Sequence, residues 1–142
     1  MKTDNRPIVK IFTDGSYRAK NNMGGWAAIM ESGPHKQAIF GNEKLTTVNR
    51  MEVGAIINAL EQLTVPCKVE IISDSMVAIH GTNKLNGKAN LDQWSQIAKL
   101  KQIHDITMVK VKAHTKSKHP TEHERGNAIV DCLAQFASSQ RI

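Results

Sequence analysis

The sequence predicts an α/β fold in which helices pack on a five-stranded mixed sheet. Two observations carry this. Residues 7–42 hold three short runs rich in Ile, Val, Ala and aromatic residues, separated by Gly- and Asn-containing turns, the pattern of an antiparallel meander. From residue 49 onward the apolar period becomes helical, and two further apolar runs are each reached through a helical segment. Strands joined by helical crossovers run parallel. Strands one to three are therefore antiparallel, while strands one, four and five are parallel and central.

The elements follow in order. "PIVKIFTD" (7–14) is the first strand, "NNMGG" (21–25) a turn, "GWAAIMES" (25–32) the second strand, and "GPH" (33–35) a turn into the third, "KQAIFGN" (36–42). In "NRMEVGAIINALEQL" (49–63) Glu52, Ile56, Ala59, Leu60 and Leu63 recur at helical spacing, and Gly54 permits close packing. "VP" stops that helix, and "CKVEIISD" (67–74) is the fourth strand. "SMVAIHG" (75–81) is a short helix with Ser75 near its start, and "TNKLNGKAN" (82–90) is a polar loop. "LDQWSQIAKLKQI" (91–103) is a helix with Leu91, Trp94, Ile97 and Ala98 on its inner face. "ITMVKVK" (106–112) is the fifth strand, "HTKSKHPTEHERG" (114–126) a long polar loop, and "NAIVDCLAQFASS" (127–139) the closing helix.

A chain of 142 residues with 40% hydrophobic content suits one domain, 1–142, with a polar, frayed start over 1–7. No run has the apolar length needed to cross a membrane and the N-terminus carries no secretory h-region, so the expected compartment is cytoplasmic. Cys67 and Cys132 sit in apolar contexts and read as reduced core or near-core residues. No coiled-coil or strand-edge pattern demands a partner, which makes a monomer the expectation. The net charge of +6 suggests an anionic partner such as nucleic acid.

Against that basic background, certain acids stand out by their setting. Asp14 and Asp74 each end an apolar strand, and sites in open α/β sheets form beyond the carboxyl ends of strands. Glu52 lies on the stripe of Ile56 and Leu60, and Asp131 interrupts "AIVDCLA". Each has an ordinary reading: strand-end Asp residues cap turns, and an acid near a helix start is favoured by the helix dipole. Four acids in apolar settings cannot all ionise side by side without a cation. Hard oxygen ligands select Mg²⁺ or Mn²⁺. Two such ions bridged by carboxylates form the clamp used for phosphodiester cleavage.

Together these residues resemble the type 1 ribonuclease H family. The likeness covers about residues 8 to 140 and rests on "TDGS" (13–16), "GGWAAI" (24–29), "TVNRMEVGAIINAL" (47–60), "SDS" (73–75), "NLDQW" (90–94), "VKAH" (111–114) and "GNAIVDCLA" (126–134), in family order. It implies the ribonuclease H-like fold and hydrolysis of the RNA strand of an RNA/DNA hybrid to 5′-phosphate and 3′-hydroxyl products. It implies Asp14, Glu52, Asp74 and Asp131 as metal ligands, two Mg²⁺ ions with substrate, Mn²⁺ as an alternative, and His114 in proton movement or product departure. His119 or His123 could substitute for His114, and His80 and His104 read as ordinary residues. Substrate contacts carried over are Gly15 and Ser16 beside Asp14, Asn49 in the minor groove, Thr47, Arg50 and Asn90 on phosphates, and Trp94, for which core packing is an equal reading.

The chain departs from the family pattern in places. Val48 replaces an amide that commonly contacts the hybrid, and Met76 stands where a polar group is common. The basic protrusion of some relatives is absent or reduced to Lys84 and Lys88. In compensation, the stretch from His114 to Asp131, with Lys116 and Lys118, reads as either a basic flap over phosphates or a solvated loop. Two other classes remain open on sequence: a catalytically silent hybrid- or duplex-binding module, and a DNA-directed nuclease or integrase of the same fold.

Overall fold

The structure, a computed structural model, describes residues 4–113 and 118–140. The chain forms β1 (Ile8–Arg18), β2 (Met23–Ser32), β3 (His35–Lys44), α1 (Val48–Glu61), β4 (Lys68–Ser73), α2 (Met76–Lys84), α3 (Leu91–Ile103), β5 (Asp105–Lys110) and α4 (Glu122–Ser138). The sheet order is β3-β2-β1-β4-β5, with β1–β2 and β2–β3 antiparallel and β1–β4 and β4–β5 parallel. This is the mixed sheet that the sequence pattern predicts.

Strand alternation divides the buried residues into two cores. Ile11, Ile71, Val53, Ile56, Leu60 and Ile97 belong to the one under α1 and α3. Phe12, Ile29, Ile72, Val130 and Ala134 belong to the one under α4. Burying each such large side chain contributes about 1.5–3 kcal/mol, so both layers are held independently of the polar site between them.

The register creates the opening that the site uses. β1 pairs with β4 only as far as Phe12↔Ile72, yet it stays paired with β2 to Arg18↔Met23. β1 thus runs four residues past its predicted end at Asp14. Asp14 is therefore not at a strand terminus. It sits where β1 has parted from β4, and Asp74 follows immediately after β4.

Several boundaries differ from expectation. α1 starts at Val48 with Thr47 as N-cap, so Glu52 is in the second turn, beyond the favourable reach of the helix dipole. α2 runs to Lys84 and takes the first residues of the expected 82–90 loop. α4 starts at Glu122, inside the expected 114–126 loop. Its start is fixed by a capping box in which the Thr121 hydroxyl accepts from Glu124 N–H and the Glu124 carboxylate accepts from Thr121 N–H. Leu91 is 65% exposed, because it is the first residue of α3 and the buried stripe begins only at Gln93 and Trp94. Cys67 is buried as expected, whereas Cys132 is exposed because the inner stripe of α4 runs through Asn127, Val130, Ala134 and Ala137.

Candidate active site

Three of the four expected acids converge. Asp14, Glu52 and Asp74 each offer a carboxylate oxygen, and these oxygens all lie within 4.8 Å of one another. Asp131, from α4, lies outside this triad but near enough to Asp14 to help raise its carboxyl. Asp14 and Glu52 are buried, and Asp74 and Asp131 are half-buried.

Burial first, then the negative charges around it, push the Asp14 carboxyl far above the usual carboxylate range. Glu52 and Asp74 supply charge, and Asp131 shares a hydrogen bond with it. Burial is also the largest cause of the raised Glu52 carboxyl, partly offset by hydrogen bonds from Asp14 and the Gly15 N–H. Among the described residues, Glu52 Oε2 is buried with no hydrogen-bond partner. A buried, unsatisfied carboxylate oxygen costs about 1–3 kcal/mol or more. No Lys or Arg among the described residues forms an ion pair with Asp14, Glu52 or Asp74. A convergent all-oxygen donor set with an orphaned inner oxygen fits a hard divalent cation such as Mg²⁺ or Mn²⁺.

Gly15 makes this approach of β1 and α1 possible. A Cβ there would lie 2.5 Å from Glu52 N and 2.8 Å from the Met51 carbonyl carbon. Both are backbone atoms, so no side-chain rotation could relieve the clash. The next residue, Ser16, is turned to the far end of α4, where its hydroxyl lies 3.4 Å from the Ser138 hydroxyl.

A second constellation lies where α1 and α3 meet. Arg50 Nη1 donates to Asn90 Oδ1 at 3.2 Å and to Asp92 Oδ1 at 3.0 Å, and Nη2 donates to Asp92 Oδ2 at 2.9 Å. The expected phosphate contacts Arg50 and Asn90 are thus brought together. Arg50 is also held in a fork by Asp92, which sequence reading did not single out. That fork keeps the Asp92 carboxyl well below the usual carboxylate range. Gln93 donates to the Arg50 carbonyl at 2.9 Å and ties α3 to α1. Asn90 itself holds a left-handed conformation at the α3 N-cap (φ 59°), which Asn tolerates well.

The remaining expected residues fall as follows. Thr47 is the α1 N-cap, its hydroxyl accepting from Arg50 N–H at 3.2 Å, and Asn49 is exposed beside it. Val48 and Met76, the two departures from the family pattern, are both 44% exposed at the starts of α1 and α2. Trp94 follows the packing reading. It is 7% exposed, and Cβ atoms at Gly81 and Gly87 would lie 2.1 Å and 2.6 Å from its ring. Lys118 is exposed, while His114 and Lys116 lie outside the described residues. Two residues that sequence reading missed touch the acids: Asn127 Nδ2 donates to Asp74 Oδ2 at 3.4 Å, and Gln135 Nε2 donates to Asp131 Oδ2 at 3.1 Å. Their available signal was spacing, since each stands four residues from Asp131 on the same helix face.

The RNase H family profile matches residues 6–139. The chain is 36% identical to ribonuclease H of Nitrosospira multiformis, over 94% of this chain and 91% of that one. Its fold is similar to LC9-RNase H1, a type 1 RNase H with the type 2 active-site motif, with a TM-score of 0.80 at 19% identity, covering 96% of this chain and 74% of that one. It is also similar to LC11-RNase H1, isolated from compost and solved in complex with an RNA/DNA hybrid, with a TM-score of 0.70 at 21% identity, covering 92% of this chain and 96% of that one. With a family match across nearly its whole length and a relative at 36% identity over most of both chains, this chain belongs to the ribonuclease H family.

Proposed function

We propose that this protein is a metal-dependent endoribonuclease that hydrolyses the RNA strand of RNA/DNA hybrids, leaving 5′-phosphate and 3′-hydroxyl ends. The observation that carries the reading is the close convergence of Asp14, Glu52 and Asp74, with Glu52 Oε2 buried and unpaired. Two divalent ions, Mg²⁺ or Mn²⁺, would activate the attacking water and stabilise the leaving oxygen. Asp14, Glu52, Asp74 and Asp131 would hold them. Gly15 N–H and Asn127 orient two of those carboxylates. Family membership supports the reaction, and the hybrid complex of LC11-RNase H1 supports the substrate. A silent binding module fits less well, since grouping buried acids opposes binding of a polyanion.

The deciding assay uses an end-labelled RNA/DNA hybrid beside DNA duplex, RNA duplex and single-stranded RNA, with Mg²⁺, Mn²⁺ or chelator. Cleavage confined to the RNA strand of the hybrid, and abolished by chelator, is the expected result. Hybrid binding without cleavage under either metal would instead favour the silent module.

Arg50 has a separate expectation. Its guanidinium keeps N–H groups that Asp92 and Asn90 do not use, and these can take a phosphate oxygen. Arg50→Ala is expected to weaken hybrid binding and lower the slope of log affinity against log salt by about one. An unchanged slope would mean that Arg50 serves only to join α1 to α3.

A further inference from the structure

We propose that Asn127 is a positioning residue of the carboxylate cluster, fixing the Asp74 carboxylate and, through it, the spacing between Asp74 and Asp131. The inference rests on the metal-dependent reading above. Asp74 follows β4 directly and belongs to the sheet, whereas Asp131 rides on α4. α4 is docked on the sheet by apolar packing, including Ile72 of β4 against Val130 and Ala134, and Asn127 adds a polar tie at the acids themselves. Asn127 stands one helical turn before Asp131 on the same helix, and its Nδ2 donates to Asp74 Oδ2 at 3.4 Å. Among the described residues this is the side-chain hydrogen bond that reaches the Asp74 carboxylate.

Three further facts separate this contact from an incidental one. Asn127 is 4% exposed, so water does not compete for its amide. The amide orientation is dictated, because the flipped form would set Oδ1 against the Asp74 carboxylate, acceptor against acceptor. In the orientation that results, Oδ1 is buried with no partner among the described residues. A fold selected only for packing would place an apolar residue in this stripe beside Val130 and Ala134. The amide instead leaves one oxygen unsatisfied in order to hold an acid. Groups that orient a ligand in this way typically change metal affinity by 10–100-fold when removed.

The test compares wild type with Asn127→Leu, which keeps the branched shape without the polar atoms, and Asn127→Ser, a smaller substitution for use if the first does not fold. Mn²⁺ and Mg²⁺ affinity is measured without substrate, by calorimetry and by the metal-induced rise in Tm. Cleavage is then titrated with Mg²⁺. The expected result is metal affinity weakened about 10-fold, an unchanged KM for the hybrid, and a kcat recovered at high Mg²⁺. The metal-free Tm should stay near wild type. Wild-type metal affinity in either folded variant would overturn the inference and leave the proposed function intact. A kcat that stays low at saturating metal, with a lowered metal-free Tm, would also overturn it by assigning Asn127 to packing. Wild-type protein that binds neither ion would overturn both readings.

Discussion

Asp14→Asn is expected to lower hybrid cleavage by about 10³-fold or more while making the metal-free protein more stable. The activity loss follows from the position of Asp14, which contacts both Glu52 and Asp131 and shares the 4.8 Å cluster with Asp74. Losing a charge that holds an ion removes several kcal/mol of transition-state stabilisation, and about 4 kcal/mol corresponds to 10³ in rate. The stability gain follows from the same crowding. Asp14 has its carboxyl raised by burial and by its acidic neighbours. A raised carboxyl holds its proton in the folded state at pH values where the unfolded chain, titrating near its ordinary value of about 4, has lost it. The folded state then binds more protons than the unfolded one, and metal-free stability falls as pH rises from that value towards the raised one. Asn removes this penalty without changing shape. The gain should be present at pH 8, shrink as pH falls and vanish near pH 4, where the carboxyl is protonated in both states. Denaturant unfolding in chelator at several pH values measures it. Added Mg²⁺ should stabilise wild type increasingly as pH rises, because the ligands must deprotonate to bind it. A variant with turnover within tenfold of wild type, or one less stable than wild type at pH 8, would remove Asp14 from the centre of the site.

The sheet and its acids were legible in the sequence because both leave local patterns. Alternating apolar runs specify strands, and a carboxylate inside an apolar run contradicts its surroundings wherever the chain goes. Glu52 illustrates the limit. Its stripe was clear, but whether it lay in the first or second turn depended on Thr47 acting as the cap, so the helix-dipole reading could be dismissed only from the structure. The start of α4 was hidden differently: Thr121 and Glu124 form a recognisable capping box, but it sits inside a run of polar residues that also reads as loop. Asp92 and Asn127 were passed over for a third reason, even though Asn127 stands one helical turn from Asp131. Each gains its role from a partner 42 or 53 residues away, and an exposed acid or a lone amide carries no local contradiction. Cys132 shows the converse, because an apolar neighbourhood in sequence became a solvent-facing position once the helix phase was fixed by Val130 and Ala134.

The second large effect concerns a residue with no side chain. Gly15→Ala is expected to destabilise the fold by about 2–3 kcal/mol and to lower cleavage by about 100-fold. The new methyl would meet Glu52 N at 2.5 Å and the Met51 carbonyl carbon at 2.8 Å. Met51, Val53 and Ile56 anchor this part of α1 in buried positions, so the helix cannot retreat without loosening them. For a domain of this size, that cost lowers Tm by roughly 5–10 °C. The activity loss is larger than stability alone would give, since wherever α1 moves it carries Glu52 away from Asp14 and stretches the hydrogen bond from Gly15 N–H. Gly54→Ala in the same helix separates the two effects. A Cβ there meets only Gln93 Nε2, at an ordinary 3.6 Å, so the usual gain of about 0.5–1 kcal/mol for replacing a helix-interior glycine should appear with cleavage unchanged. Thermal melts and single-turnover cleavage on both variants decide the matter. If Gly15→Ala lost stability but kept wild-type turnover and metal affinity, Glu52 would tolerate displacement and could not be a ligand with tight geometric demands. If both variants lost activity alike, the sensitivity would belong to α1 as a whole, and the close approach at Gly15 would have no special bearing on the site.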